Sequence, residues 1–174
     1  MRRLMLLRHA KTERAERGER DRDRKLTKRG QTDAPLIGGY MAHHGLVPDL
    51  ALVSPARRTQ ETWELVVAAF AKPPQHVTED RIYNATAEGL LELIRETRGA
   101  HALLIIGHNP GLHDVALQLI ASGSVEMREQ LAESMPTSGL AVIDLAFDAW
   151  PRLHRQSGRL DRFVTPRLLA AATD

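Results

Sequence analysis

The chain has 174 residues, enough to bury the core of one domain and too few to build two comfortably. Its 43% hydrophobic and 26% charged residues are ordinary for a globular protein, and no apolar run approaches the roughly 20 residues of a membrane helix. A formal charge of +2 with 4% aromatic residues argues against a nucleic-acid platform, and the lack of cysteine excludes disulfides, thiolate catalysis and Cys-ligated zinc.

The first element is a buried strand over residues 4–8. The apolar run that forms it is too short for a signal peptide and ends in Arg8-His9. The segment from Glu13 to Lys25 alternates cations and anions without apolar periodicity. It reads as a solvated loop, with substrate recruitment as the alternative because it follows His9 so closely. Thr27 then caps a helix carrying Ile37, Tyr40 and Met41 that closes at Gly45. A second strand spans 49–53, followed by Ser54 as cap and Pro55 at the first helical position. Trp63, Val66 and Phe70 give that helix its apolar face, and Pro73-Pro74 stops it.

Residues 76–83 form a weaker strand candidate, and 87–98 a helix with Leu90, Leu91 and Ile94 as its stripe. Residues 102–106 are the strongest central-strand signal. They lead to Gly107-His108-Asn109-Pro110-Gly111, where Asn109-Pro110 repeats the cap-plus-Pro pattern, and then to a helix through Ile120. Residues 122–135 are polar, a short helix or lid. Residues 140–145 are another strand, and 160–165 an edge strand before a frayed tail. Alternating strands and helices predict an α/β fold, a three-layer αβα sandwich on a mostly parallel sheet, in one domain over residues 1–174.

Three of these strands end in chemistry-bearing residues: Arg8-His9, Ser54 to Arg58, and His108-Asn109. In a parallel sheet the ends share one rim, where open α/β sheets bind ligands. Two arginines and two histidines would meet there, with no carboxylate among them and helix N-termini adding free N–H groups. A neutral imidazole can act as a nucleophile, and arginine forks match phosphoryl oxygens. His9 is therefore the candidate phosphoryl acceptor, with Arg8, Arg58 and His108 around it. Lys11, Thr12 and Asn109 are candidate substrate-binding residues. His76, His101, His113 and His154 lack such a setting and read as structural.

Leu6-Leu7-Arg8-His9-Ala10-Lys11-Thr12 resembles the signature of the histidine phosphatase, or phosphoglycerate-mutase-like, superfamily. Leu26-Thr27-x-x-Gly30, Ser54-Pro55-Ala56-Arg57-Arg58-Thr59-x-x-Thr62 and Gly107-His108-Asn109-Pro110-Gly111 are similar to its further motifs, and Met135 to Gly139 also fits. The short length and the Arg-His-Ala form resemble the compact SixA-like phosphohistidine phosphatases. The resemblance implies a phosphoglycerate-mutase-like fold and His9 as the phosphorylated nucleophile. It implies a phosphate pocket of Arg8, Arg58 and His108, and neither cofactor nor metal.

One departure bears on substrate. Larger members carry a glutamate that protonates an alcohol leaving group, whereas the corresponding stretch here, Arg81 to Ala85, holds Asn84 and no acid. Glu79, Asp80 or Glu88 could substitute. Without such an acid a labile P–N bond is the better substrate than an ester. The resemblance and this departure predict a cytoplasmic enzyme acting on a phosphohistidine-bearing protein, a phosphorelay domain or a phosphotransferase-system carrier. A small-molecule phosphomonoesterase and a non-catalytic phosphohistidine-binding module are the alternatives.

Overall fold

The computed structural model describes residues 1–172. The first strand, β1 (Arg2–Arg8), sits at the centre of a seven-stranded sheet. The other strands are β2 (Leu50–Val53), β3 (Gln75–Thr78), β4 (Ala102–Gly107), β5 (Ile120–Gly123), β6 (Leu140–Leu145) and β7 (Gly158–Val164), in the spatial order β3-β2-β4-β1-β6-β7-β5. β3, β2, β4 and β1 run parallel. β6 runs antiparallel to both β1 and β7, and β5 pairs parallel with β7. The helices are α1 (Lys28–His43), α2 (Arg57–Val67), α3 (Ala87–Glu96), α4 (Gly111–Leu119), α5 (Val125–Glu133) and α6 (Pro166–Ala172).

The continuous apolar strands are buried on both faces because their side chains alternate between two helical layers. Met5, Leu7, Val53, Leu104 and Ile106 pack with Ile37, Met41, Trp63 and Val66 of α1 and α2. Leu4, Leu6, Leu52, Leu103 and Ile105 pack with Leu90, Ile94, Leu112 and Val115 of α3 and α4. The architecture is the three-layer αβα sandwich of the phosphoglycerate-mutase-like fold.

Four local expectations need correction. Neither helix after β2 or β4 starts with the expected cap. α2 begins at Arg57 behind Ala56, and the Ser54 hydroxyl turns to His108. α4 begins at Gly111 behind Pro110, the Asn109-Pro110 peptide is cis, and the Asn109 amide turns to Met135. Residue 120 leaves the helix for β5, because pairing with Gly158 of β7 outcompetes the helical periodicity. β7 is therefore flanked on both sides, and β5 and β3 are the edges. The tail forms α6, with Thr165 Oγ accepting from the Leu168 N–H at 3.1 Å.

Thr27 caps α1 as expected, accepting from the Gly30 N–H at 3.0 Å. A Cβ at Gly30 would collide with the Lys11 carbonyl oxygen, so only glycine lets α1 press against the backbone that follows β1. Gly111 plays the same part for α4 against the Ala85 carbonyl.

Candidate active site

β4 lies between β2 and β1, with Val53 level with Ile106 and Arg8 level with Gly107. Neighbouring strands stand about 4.8 Å apart, so Ser54, His108 and His9 leave the sheet side by side at one rim. β6 enters at the same rim from the opposite direction. Its approach clamps β1: Arg8 N–H donates to Gly139 O at 3.0 Å, and Ser138 N–H lies 3.1 Å from both Arg8 O and His9 O.

His9 is buried, and its backbone N–H donates to Gly107 O at 3.2 Å. Its ring Nδ1 is 2.8 Å from the Ala10 carbonyl oxygen. A carbonyl oxygen only accepts, so Nδ1 carries the proton and Nε2 keeps its lone pair. Burial pushes the imidazole pKa down to about 3; the Ala10 bond opposes this, and repulsion from His108, Arg58 and Arg8 adds to it. The ring is thus uncharged at neutral pH.

The His108 ring centroid is 5.3 Å from that of His9. Its Nε2 lies 2.7 Å from Ser54 Oγ. Burial and then Arg58 push its pKa down to about 4, although Asp21 opposes them. Half-buried Arg8 donates from Nη1 to Met135 O at 3.1 Å, and burial together with Arg58 lowers its pKa. Among the described residues, five buried side-chain polar atoms lack a hydrogen-bond partner, and four cluster here: Arg8 Nε, His108 Nδ1, Asn109 Oδ1 and Ser138 Oγ. Such groups are costly to bury unpaired, and their concentration at one rim fits a polar ligand.

Arg58 is buried on the first turn of α2, whereas Arg57 is exposed and faces Glu61 at 3.5 Å. The Arg58 fork does not stand alone. Nη1 donates to Asp21 O at 2.9 Å and Nη2 to Asp21 Oδ2 at 3.0 Å. The expectation of a site without a carboxylate is therefore corrected. The segment Glu13 to Lys25 is not wholly solvent-facing, because its 3-10 turn at Asp21–Asp23 folds back onto the rim. Asp21 also accepts from Tyr83 OH at 2.6 Å and Arg24 Nη1 at 2.9 Å. The Tyr83 bond first, then Arg24 and Arg58, hold its carboxyl well below the usual range.

The other expected residues divide. Asn109 lines a 360 Å³ pocket together with Arg58, His108, Asn84 and Asp114. Thr12 accepts from Arg24 Nη2 at 2.9 Å and so braces the loop. Lys11 is exposed and lines a separate 710 Å³ groove with Arg29, Thr137 and Arg167. None of Glu79, Asp80 and Glu88 lines the 360 Å³ pocket. Glu79 is engaged by Arg81 at 3.0 Å, Asp80 is exposed, and exposed Glu88 faces Arg95 at 3.6 Å. His113 bonds Leu131 O and His101 bonds Arg2, while His154 bonds Arg152 O and His76 lies beside Trp63.

Sequence reasoning missed Asp21, Tyr83, Ser138 and Asp114. Ser138 stood in a motif that was noticed. Asp21 is one acid among several in a charged run, and nothing local marks it.

The rim thus presents an uncharged imidazole with a free lone pair amid arginine donors, an arrangement suited to receiving and stabilising a phosphoryl group. The family model for the histidine phosphatase superfamily, branch 1, matches residues 4–85. A candidate SixA phosphohistidine phosphatase from Agrobacterium tumefaciens is 34% identical; the match covers 95% of this chain and 98% of that one, with a TM-score of 0.81. The protein histidine phosphatase SixA complexed with tungstate shares the fold, at 20% identity and a TM-score of 0.71 over 96% of this chain and 99% of that one. An uncharacterised protein of Mycobacterium leprae is 32% identical over 149 residues, 84% of this chain and 89% of its own length. By its fold, its motifs and these relatives, the chain belongs to the histidine phosphatase superfamily.

Proposed function

We propose that this chain is a phosphohistidine phosphatase with His9 as nucleophile. The observation that carries the reading is the tautomer of His9: its Nδ1 proton is given to Ala10 O, which leaves the Nε2 lone pair free beside His108. Nε2 attacks phosphorus, and the substrate's P–N bond breaks with its electron pair going to the departing imidazole, which takes up a proton. Arg8 and Arg58 offset charge on the phosphoryl oxygens, and His108 approaches the same oxygens. Water then attacks phospho-His9, releasing inorganic phosphate and the free imidazole.

The choice of a P–N bond rests on the acids. Asp21 is held ionised by its three donors and cannot deliver a proton, and Glu79, Asp80 and Glu88 lie outside the 360 Å³ pocket. A protonated imidazole leaves without a positioned acid. The substrate in this reading is a phosphohistidine-bearing protein, a phosphorelay domain or phosphotransferase-system carrier, met in the cytoplasm by a single-domain enzyme that needs neither cofactor nor metal.

The test offers the purified protein a set of phosphorylated histidine carriers, a simple phosphoramidate and p-nitrophenyl phosphate. The expected result is carrier and phosphoramidate turnover, with an acid-labile phosphoenzyme that His9→Ala does not form. Partner binding that survives His9→Ala, without turnover by the wild type, would instead identify a binding module. The phosphomonoesterase reading draws on Asp114, a carboxylate that does line the pocket. It requires a preference for the ester that Asp114→Asn abolishes.

A further inference from the structure

We propose that Asp21 is a positioning residue that sets the plane of the Arg58 guanidinium for the phosphoryl group. This rests on reading Arg58 as a phosphoryl-binding residue. Arg58 leaves α2 on a long flexible stem, and a fork at the end of such a stem is useful only if its plane is set. Both terminal nitrogens are held by one residue, Nη1 by the Asp21 carbonyl and Nη2 by its carboxylate. A guanidinium has five N–H groups, so Nε and one hydrogen on each terminal nitrogen remain for a ligand.

Asp21 is itself fixed. Tyr83 OH and Arg24 donate to its carboxylate, and Arg24 is tied by Nη2 to Thr12 and by Nε to Glu13 O. The loop is thereby closed on the chain that leaves His9. Tyr83 also stands edge-on to His108 at 5.6 Å, and the Arg58 guanidinium lies 5.9 Å from the Tyr83 ring. A carboxylate that merely competes with the phosphoryl group would be free to swing aside. Three side-chain donors on Asp21 make it a strut.

The test measures tungstate and inorganic phosphate affinity by calorimetry and phosphoramidate turnover in Asp21→Ala, Asp21→Asn and Tyr83→Phe. Asp21→Ala is also made in an Arg58→Ala background. Asp21→Ala is expected to weaken tungstate and lower kcat by about tenfold or more each, with Asp21→Asn recovering part through its remaining acceptor oxygen. In the Arg58→Ala background Asp21→Ala should change neither, because the two act as a unit. Tyr83→Phe gives a smaller loss in the same direction and serves if Asp21→Ala does not fold. Tighter oxyanion binding in Asp21→Ala, an unchanged kcat, or an equal loss in both backgrounds overturns the proposal. If the wild type turns over no phosphoramidate, the phosphatase reading fails, while the tungstate comparison still decides the role of Asp21.

Discussion

The sheet has two halves of comparable burial and unlike use. In the half made by β3, β2, β4 and β1, all strands point one way, and His9, Ser54 and His108 follow the ends of three neighbours. In the half made by β6, β7 and β5, direction reverses at β6, so no such row of ends can form. Leu140, Val142, Ile143 and Leu160 there are as fully buried as Leu4, Leu7 or Ile105 in the other half. Burial therefore does not distinguish the halves; strand direction does. The second half supports the site from outside, through the Ser138-Gly139 clamp on β1 and the Met135 carbonyl that takes bonds from Arg8 and Asn109.

Substitutions that separate chemistry from stability sharpen this contrast. His9→Ala should abolish turnover and phosphoenzyme formation while the far-UV circular dichroism stays native, because the side chain sits at the rim; loss of the fold would break the contrast. Ile143→Ala should do the opposite, costing about 2–5 kcal/mol of stability in chemical denaturation with kcat per folded molecule retained. Arg58→Ala should remove about 2–4 kcal/mol of transition-state stabilisation, read as kcat/KM, by analogy with losing one oxyanion donor. Exposed Arg57→Ala should leave kcat/KM unchanged and stability within about 0.5 kcal/mol, and a large effect there would shift the functional arginine by one position.

A pH effect should follow from the same rim. The fold depresses His9 to about 3 and His108 to about 4, from an ordinary value of 6.5. Below about pH 6.5 the unfolded chain takes up protons that the folded chain refuses. Stability from the neutral rings is full above that value and is lost as pH falls towards 4 and then 3. The thermal midpoint should therefore drop between pH 7 and pH 5, and His108→Ala should reduce that drop.

The buried strands were legible because a run such as Leu4 to Leu7 or Leu103 to Ile106 has few other fates in a chain of this length. Thr27, with Gly30 three residues on, was legible because a cap acts within a single turn. Ser54 and Asn109 misled for a related reason. Their local pattern is that of caps, but partners from β4 and from the chain before β6 took their side chains instead. β5 was hidden because its pairing with β7 joins residues far apart in the chain.

The sequence by itself determined the order of strands and helices and the Arg8, His9, Arg58 and His108 motif positions, since each depends on neighbours a few residues away. The tertiary structure alone decided that Asp21, from a run of near-identical charges, meets Arg58 while Lys11 turns to another groove. A charge acquires its role from what faces it, and what faces Asp21 comes from α2 and from the segment after β3, 37 and 62 residues further along the chain.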